Sequence, residues 1–177
     1  MKYWKKNYKS SSIYFPRQQS NYLFLSKKNT SFIKNGSNLV ESKSRICSHL
    51  SPTDKTHEML IFHKKDAYVR PHKHMNRLQS FHLISGKISM IFFNSYGSPI
   101  KVVKMGEYSS GKAFYYKLFK QYWHTMLIDS DAFFHEVTNG PYKKNGTLYA
   151  EWSPAENNKM HVKKYLIKLR NVIKKLQ

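Results

Sequence analysis

The chain has 177 residues and a mass of 21.0 kDa, with 31 Lys and Arg residues against 10 Asp and Glu, a formal charge of +21. Hydrophobic residues make up 40% of it, which excludes a disordered chain and is enough for one domain with a core. Cys47 is the only cysteine, so an intramolecular disulfide and a multi-cysteine zinc finger are excluded. No apolar run approaches the ~20 residues of a membrane span, and no apolar signal segment follows the basic start. We therefore expect a cytoplasmic protein.

The excess positive charge lies at the two ends of the chain. The net charge is +9 over residues 1–55, +5 over residues 56–156 and +7 over residues 157–177. Only five of the 31 basic residues are arginines, whereas nucleic-acid surfaces that read sequence rely on arginine forks. Nucleic acid is therefore the least favoured partner. The charge indicates where the ends dock more than which chemistry the middle performs.

Taken in chain order, the sequence predicts an arm and then a series of short strands. Residues 1–37 are polar and irregular, which predicts a basic, loosely ordered N-terminal arm, and Asn38 to Lys43 suit a helical turn leading to Arg45. From His57 onward, strand-like runs alternate with turns at roughly ten-residue spacing. The runs are His57 to His63, Tyr68 to His74, Phe81 to Ile84, Ile88 to Phe93, Ile100 to Met105, Ala113 to Leu118, Trp123 to Ile128, Phe133 to Val137 and Thr147 to Trp152. Without intervening helices, they predict an all-β barrel or double-sheet jelly roll within residues 38–156.

The tail, residues 157–177, changes to a helical period. Its apolar residues recur at spacings of three and four, with lysines between them, which predicts a basic amphipathic helix. Three interpretations are open. The helix packs on the barrel or on a second subunit, it lies on an anionic membrane surface, or it binds nucleic acid through lysine–phosphate contacts. The first is favoured because it is the commonest outcome for such a helix.

Three histidines form a candidate metal site. His72 and His74 are two residues apart on a predicted strand, so both imidazoles point to the same face. His124 lies on a later strand and is the natural third ligand. Neutral imidazole binds Zn, Ni, Cu and Fe(II). A single His-x-His pair also arises by chance, because the chain has nine histidines.

The spacing around these histidines resembles the cupin motifs. Gln79 follows His74 by five residues and Gly86 follows by seven more, as in a first cupin motif, and His124 matches the histidine of the second. Over residues 39–156 the chain resembles the WbuC-type cupin-fold metalloprotein family. The blocks that carry this resemblance are Arg45-Ile-Cys-Ser-His49, Asp54-Lys-Thr-His-Glu-Met-Leu60, Tyr68-Val-Arg-Pro-His-Lys-His74, Trp123-His-Thr125, Glu136-Val-Thr-Asn-Gly-Pro-Tyr142 and Ala150-Glu-Trp-Ser-Pro-Ala-Glu156.

The resemblance implies a single-domain jelly-roll barrel that holds one divalent metal ion, Zn, Fe, Ni or Mn, between its sheets. It also implies a role in bacterial O-antigen and surface-polysaccharide synthesis, in a family with no settled reaction. Two positions depart from the cupin pattern. Gln79 stands where cupins usually have a glutamate ligand, and Phe119 and Gln121 replace the Pro and Gly ahead of Trp123-His124. Three neutral ligands leave the metal's double charge uncancelled, with Gln79 as a weak oxygen ligand.

Five further residues are candidates for substrate chemistry. Arg70 either clamps a substrate carboxylate or phosphate or is a surface arginine, and Tyr68 either donates to substrate or fills the core. Glu136 acts as a general base or orients a ligand histidine, or it pairs with a lysine. Tyr142 belongs to a turn at the pocket mouth, and Arg45 either closes over the site or anchors its segment. For His49 an anchoring role is favoured, and for Cys47 a buried core position is favoured over a fourth metal ligand.

The sequence thus predicts a metal-binding cupin that acts on or recognises an anionic sugar or nucleotide sugar. As an enzyme it would be a metal-dependent isomerase, epimerase or dioxygenase. The alternatives are a non-enzymatic, metal-stabilised sugar-binding or regulatory module, and a membrane-surface adaptor that uses its basic ends. A homodimer and peripheral contact with an anionic inner membrane are further partners that the sequence leaves open.

Overall fold

A computed structural model describes residues 5–6, 12–14, 22–28, 30 and 42–176 of the chain. Within these residues there are twelve strands, one 3₁₀ turn (Tyr108–Ser110) and one long helix. The elements are β1 (Lys5–Lys6), β2 (Ser12–Tyr14), β3 (Lys43–Cys47), β4 (Thr56–His63), β5 (His72–His74), β6 (Gln79–Ser85), β7 (Lys87–Phe93), β8 (Pro99–Gly106), β9 (Tyr115–Leu118), β10 (Trp123–Ile128), β11 (Ala132–Asn139), β12 (Thr147–Tyr149) and α1 (Lys159–Lys174). Each strand-like run predicted from His57 onward contains a strand, and the helix lies within the predicted tail.

The strands form two sheets that face each other. The larger sheet has the order β1-β2-β3-β4-β11-β6-β9 and the smaller has the order β12-β5-β10-β7-β8. All pairings between neighbours are antiparallel except that of β2 with β3, which is parallel. The predicted all-β double-sheet jelly roll with a C-terminal helix is confirmed.

The core lies between the inner faces of the two sheets. Phe81 and Leu83 of β6, Met90 of β7 and Phe134 of β11 are almost completely buried there. They form strands because alternate residues are apolar and point inward, and burying each large side chain contributes roughly 1.5–3 kcal/mol. Phe81 stacks on Phe134 with ring centres 4.2 Å apart. This apolar layer fixes the register of the strands that carry polar residues further along the barrel.

Strand β3 was not predicted from the sequence. Residues 38–41 of the proposed helical turn lie outside the described residues, and Lys43 begins β3 instead of ending that turn. In β3, Ile46 packs on the outer face with Phe62, whereas Lys43, Arg45 and Cys47 line a cavity between the sheets. A strand whose inward residues are partly charged does not show the alternation expected for a core strand.

The described part of residues 1–37 extends the larger sheet. Strand β2 pairs with β3, with Ser12 opposite Arg45, and Leu25 packs against the buried Ile46 and Phe62. The proposed boundary between an arm and the barrel near residue 37 stays a prediction.

Helix α1 packs on the outer face of the smaller sheet. Leu169 and Ile173 are buried against Ile91, Phe93 and Leu127. The Arg170 guanidinium donates to the carboxylates of Asp129 (2.6 Å) and Asp66 (2.7 Å). Of the three interpretations of the tail, packing on the barrel is the one that the structure shows.

We expect Arg170→Gln to lower the free energy of unfolding by about 1–2 kcal/mol, because it removes two ion pairs that are partly shielded from solvent. Chemical denaturation monitored by tryptophan fluorescence measures this change. Lys168→Gln removes an exposed charge from the same helix and is the matched control. Equal stabilities for the two variants would mean that the ion pairs do not hold the helix.

Candidate metal centre

The three predicted histidines converge on one point between the sheets. His72 and His74 of β5 share a face, and His124 of β10 lies directly opposite His72 in the strand register. Their ring centres are 4.5–5.5 Å apart, and one nitrogen from each ring lies within 4.8 Å of the others. The His-x-His spacing and the neighbouring strand thus produce the convergence that a metal site needs.

Hydrogen bonds fix which nitrogen of each ring faces the centre. Nδ1 of His72 lies 2.8 Å from the Arg70 carbonyl oxygen, and Nδ1 of His124 lies 2.8 Å from that of Tyr122. A carbonyl only accepts, so in the neutral rings Nδ1 carries the proton and Nε2 keeps its lone pair. Nδ1 of His74 contacts the Thr147 hydroxyl at 3.1 Å. These are the outer contacts that orient histidine ligands in metal sites.

The buried Nε2 of His124 has no hydrogen-bond partner among the described residues. An unpaired buried nitrogen is costly, and a metal ion between the three rings would accept its lone pair. The donor set therefore fits a divalent metal of the type that binds imidazole. The structure supports a metal site here without specifying the ion.

The three imidazoles are neutral at physiological pH. Burial is the main cause that lowers the pKa of His72 to about 4 and those of His74 and His124 to about 3, and the neighbouring imidazoles lower them further. Protons therefore compete weakly with a metal ion for these nitrogens.

His72 and His74 of the cluster line a cavity of about 580 Å³. Its lining includes five basic residues and two acidic residues. The basic residues are Lys43, Arg45, Arg70, Arg77 and Lys144, and the acidic residues are Glu136 and Glu156. The cavity is thus positively charged before any metal is bound, which favours an anionic ligand.

Glu136 and Gln79 form a hydrogen-bonded pair in the cavity wall. The Gln79 amide donates to the Glu136 carboxylate (2.9 Å) and its oxygen accepts from the Tyr116 hydroxyl (3.1 Å). Burial raises the pKa of Glu136, and Arg45 and the Gln79 amide partly oppose this shift. The amide oxygen of Gln79 thus already has a partner, and its role as a weak metal ligand stays a prediction.

Arg70 and Tyr68 are both bound to the C-terminal segment. Arg70 lines the cavity, but its guanidinium donates to the Ser153 hydroxyl (3.3 Å) and the Ala150 carbonyl (3.0 Å). Tyr68 is buried and is not among the cavity-lining residues, and its hydroxyl donates to the Pro154 carbonyl (2.9 Å). Burial raises the pKa of Tyr68 to about 12. Its geometry is that of the core-filling interpretation, and we assign it no substrate contact.

Arg45 and Tyr142 both line the cavity. Arg45 contacts the Met59 sulfur at 3.9 Å and is otherwise largely exposed. Tyr142 is 55% exposed at the cavity mouth, and the Arg77 guanidinium lies 5.7 Å from its ring centre. Their predicted role in substrate binding stays a prediction, with geometry that allows it.

The two remaining predictions concern the leading segment. Nδ1 of His49 hydrogen-bonds the backbone of Glu58, and its ring stacks on His57 at 4.3 Å, as expected of an anchor. Cys47 is buried, as expected, but it also lines the cavity.

Sequence reasoning missed other cavity residues, above all Arg77 and Lys144. Arg77 lies between His74 and Gln79, inside the matched motif, and this position was the available signal. Lys144 lies in the loop after Tyr142, where the sequence shows only a common surface lysine.

A family model described as "Domain of unknown function (DUF6016)" matches residues 38–105. This range is less than half of the chain and includes His72 and His74 but not His124. No curated protein matches the chain in sequence.

Solved structures resemble the chain in fold. CapF from Staphylococcus aureus, described as a capsular polysaccharide assembling protein, has a TM-score of 0.50 at 16% identity, over 77% of this chain and 34% of that one. CapF with the inhibitor 3-isopropenyl-tropolone has a TM-score of 0.50 at 15% identity, over 72% and 42%. Oxalate decarboxylase from Bacillus subtilis, described as having Mn(II) centres, has a TM-score of 0.48 at 16% identity, over 62% of this chain and 28% of that one.

The chain spans only about a third of the length of the first CapF chain named above. At these identities the similarity shows the fold alone, which is the double-sheet jelly roll described above. Within the described residues, no helix is long and apolar enough to cross a membrane.

In metal-free protein, we expect the free energy of unfolding to fall as the pH falls from about 6.5 to about 4. His63, His72, His74 and His124 have a pKa of 6.5 when unfolded and about 3 to 4 when folded, so the unfolded chain binds more protons in this window. Each buried histidine contributes up to ~1.4 kcal/mol per pH unit.

His63→Gln isolates one of these contributions, because His63 lies outside the three-histidine cluster. Urea denaturation of chelator-treated protein at pH 7 and pH 5 should show a smaller loss of stability for this variant than for the wild type. An identical loss would mean that His63 already binds a proton in the folded state.

Proposed function

We propose that this chain is a metal-binding cupin of the WbuC type that acts on an anionic sugar or nucleotide sugar in bacterial surface-polysaccharide synthesis. One observation carries the proposal: the unpartnered Nε2 of buried His124 belongs to a cluster of three neutral imidazoles that opens on a cationic cavity.

The class of ligand follows from the cavity. A volume of about 580 Å³ lies within the range of roughly 300–1,000 Å³ typical of small-molecule sites. Polar and charged side chains dominate the lining near the histidines, which suits a ligand rich in hydroxyl groups. The lining has five basic and two acidic residues, so it favours a ligand that carries negative charge.

The polysaccharide setting has two supports of different kinds. The sequence blocks between residues 39 and 156 resemble the WbuC type, and CapF, which shares the fold, is described as a capsular polysaccharide assembling protein. Both concern proteins other than this one, so the substrate and the pathway are proposals.

A bound divalent metal would supply Lewis acidity toward a substrate carbonyl or hydroxyl. We assign proton transfer to Glu136, and two observations support this: it lines the same cavity, and burial raises the pKa of its carboxyl. Gln79 orients the carboxylate by donating to it at 2.9 Å. This division of roles fits an isomerase or epimerase that shifts a proton beside a polarised oxygen.

A second candidate function is a non-enzymatic sugar-binding module. It is favoured by the hydrogen bonds of Arg70, which engage its guanidinium with Ser153 and Ala150 instead of leaving it to clamp a reacting group. Gln79 in place of a carboxylate ligand also favours it. A binding module and an enzyme share the metal site and differ in the role of Glu136.

Protein purified without added metal should contain about one equivalent of a divalent metal by elemental analysis. His124→Ala should lose at least 90% of it, because the affinity depends on all three donors. His82→Ala is the matched control, since His82 lies on the exposed side of β6. Unchanged metal content in a folded His124→Ala variant would overturn the site.

Glu136→Gln should separate the two candidate functions. Incubation of the metal-loaded protein with a panel of nucleotide sugars, followed by NMR, should show conversion by the wild type. The variant should convert substrate at a rate lower by about 10²-fold or more while binding it with similar affinity. Glu58→Gln removes a carboxylate that is not among the residues lining the cavity and serves as control. Binding without conversion by the wild type would favour the binding module.

A further inference from the structure

Arg77 and Lys144 are two basic residues in the lining of the cavity. Arg77 lies in the loop between β5 and β6, three residues after His74, and Lys144 lies in the loop between β11 and β12. Both line the cavity that contains His72 and His74. The two loops touch, because the Met75 amide donates to the Gly146 carbonyl (2.9 Å).

The backbone around Arg77 is held on both sides. The Asn139 side chain accepts from the Leu78 amide (2.7 Å) and donates to the Asn76 carbonyl (3.3 Å). Asn76 has a φ of 54°, a left-handed conformation that asparagine tolerates better than most residues, and its side chain accepts from Gln121. Hydrogen bonds thus hold the backbone of the loop on both sides of Arg77.

The loop that carries Lys144 is likewise anchored. The Tyr142 amide donates to the Pro52 carbonyl (2.7 Å), and the Gly146 amide donates to the Lys143 carbonyl (2.8 Å). The Arg77 guanidinium lies over the Tyr142 ring at 5.7 Å, which leaves its N–H edge available for an acceptor. Lys144 is exposed to solvent at the rim of the cavity.

The cavity cations differ in their partners. Lys43 is paired with Glu156 (2.9 Å), and Arg70 is hydrogen-bonded to Ser153 and Ala150. Arg77 and Lys144 have neither a side-chain hydrogen bond nor an ion pair within the part of the chain that the structure describes. Arg45 also has no ion pair among the described residues and contacts the Met59 sulfur. Of the cavity cations without an ion pair, Arg77 and Lys144 are the two that lie on the loops that contact each other, while the Glu136 carboxylate in the cavity wall is hydrogen-bonded by Gln79.

We propose that Arg77 and Lys144 form a phosphoryl-binding subsite, which holds the phosphate group of a sugar phosphate or nucleotide sugar while its hydroxyls reach the three histidines. A phosphate dianion matches two cations on adjoining loops, and an arginine fork with a lysine is a common way to bind it. The subsite rests on the proposed function for the sugar. We assign the main anion contact to this subsite and not to Arg70, because the Arg70 guanidinium is hydrogen-bonded to Ser153 and Ala150.

The test measures the affinity of the metal-loaded protein for glucose 1-phosphate, glucuronate and glucose by titration calorimetry. We expect glucose 1-phosphate to bind more tightly than either of the others. Arg77→Gln and Lys144→Gln should each weaken that binding about 10-fold or more, because each removes charge-assisted contacts. Lys143→Gln removes the same charge from the same loop but is not among the cavity-lining residues, so it should bind within two-fold of the wild type.

The outcomes separate this subsite from the metal site. Wild-type affinity for glucose 1-phosphate in both variants, at full metal content, would overturn the subsite and leave the metal proposal standing. A wild type that holds no metal, yet binds glucose 1-phosphate through Arg77, would support the subsite and overturn the proposed function. Equal or tighter binding of glucuronate with the same dependence on Arg77 would overturn the phosphoryl assignment.

Discussion

The site depends on hydrogen bonds from imidazole Nδ1 groups to fixed oxygen atoms. His72 and His124 each donate to the carbonyl two residues earlier, at Arg70 and Tyr122, so strand geometry itself sets the tautomer and aims Nε2 inward. Burial keeps all three rings neutral, and Nε2 of His124 is left without a hydrogen-bond partner among the described residues. The backbone of the sheet therefore orients two of the three donors, and the Thr147 side chain contacts Nδ1 of the third, His74.

The negative charge of the site lies beside the histidines instead of among them. Gln79 occupies the position where the cupin motif usually has a glutamate, and its amide holds the carboxylate of Glu136 on the neighbouring strand. A bound metal would keep its full charge, and Glu136 would be available to exchange a proton. Tyr116 donates to the amide oxygen, so the Gln79 amide is fixed at both ends. The two hydrogen bonds of Gln79 thus fix the position of the Glu136 carboxylate in the cavity wall.

The sequence predicted the residues that obey a period and missed those that face the cavity from loops. The strand pattern from His57 onward and the pairing of His72 with His74 follow from two-residue periodicity, and His124 was predicted from its place on a later strand and its match to the second cupin motif. Strand β3 was missed because its inward Lys43 and Arg45 line a polar cavity, which inverts the usual pattern. Arg77 was missed because only the contact between two loops brings it to the mouth. Such a contact links distant segments, so the position of Arg77 between His74 and Gln79 was the only local signal.

The C-terminal segment contacts the residues just before strand β5, the strand that carries His72 and His74. Helix α1 is fixed by Arg170 to Asp66 and Asp129, and Tyr165 packs on Tyr68 with ring centres 6.1 Å apart. The residues before the helix bind the chain just ahead of His72, since Pro154 accepts from Tyr68, and Ser153 and Ala150 accept from Arg70. The Arg70 carbonyl is the one that fixes the His72 tautomer. Residues 150–154 therefore hold the segment that orients a proposed metal ligand, and the tail adds the contact of Tyr165 with Tyr68, a structural role that does not depend on its charge.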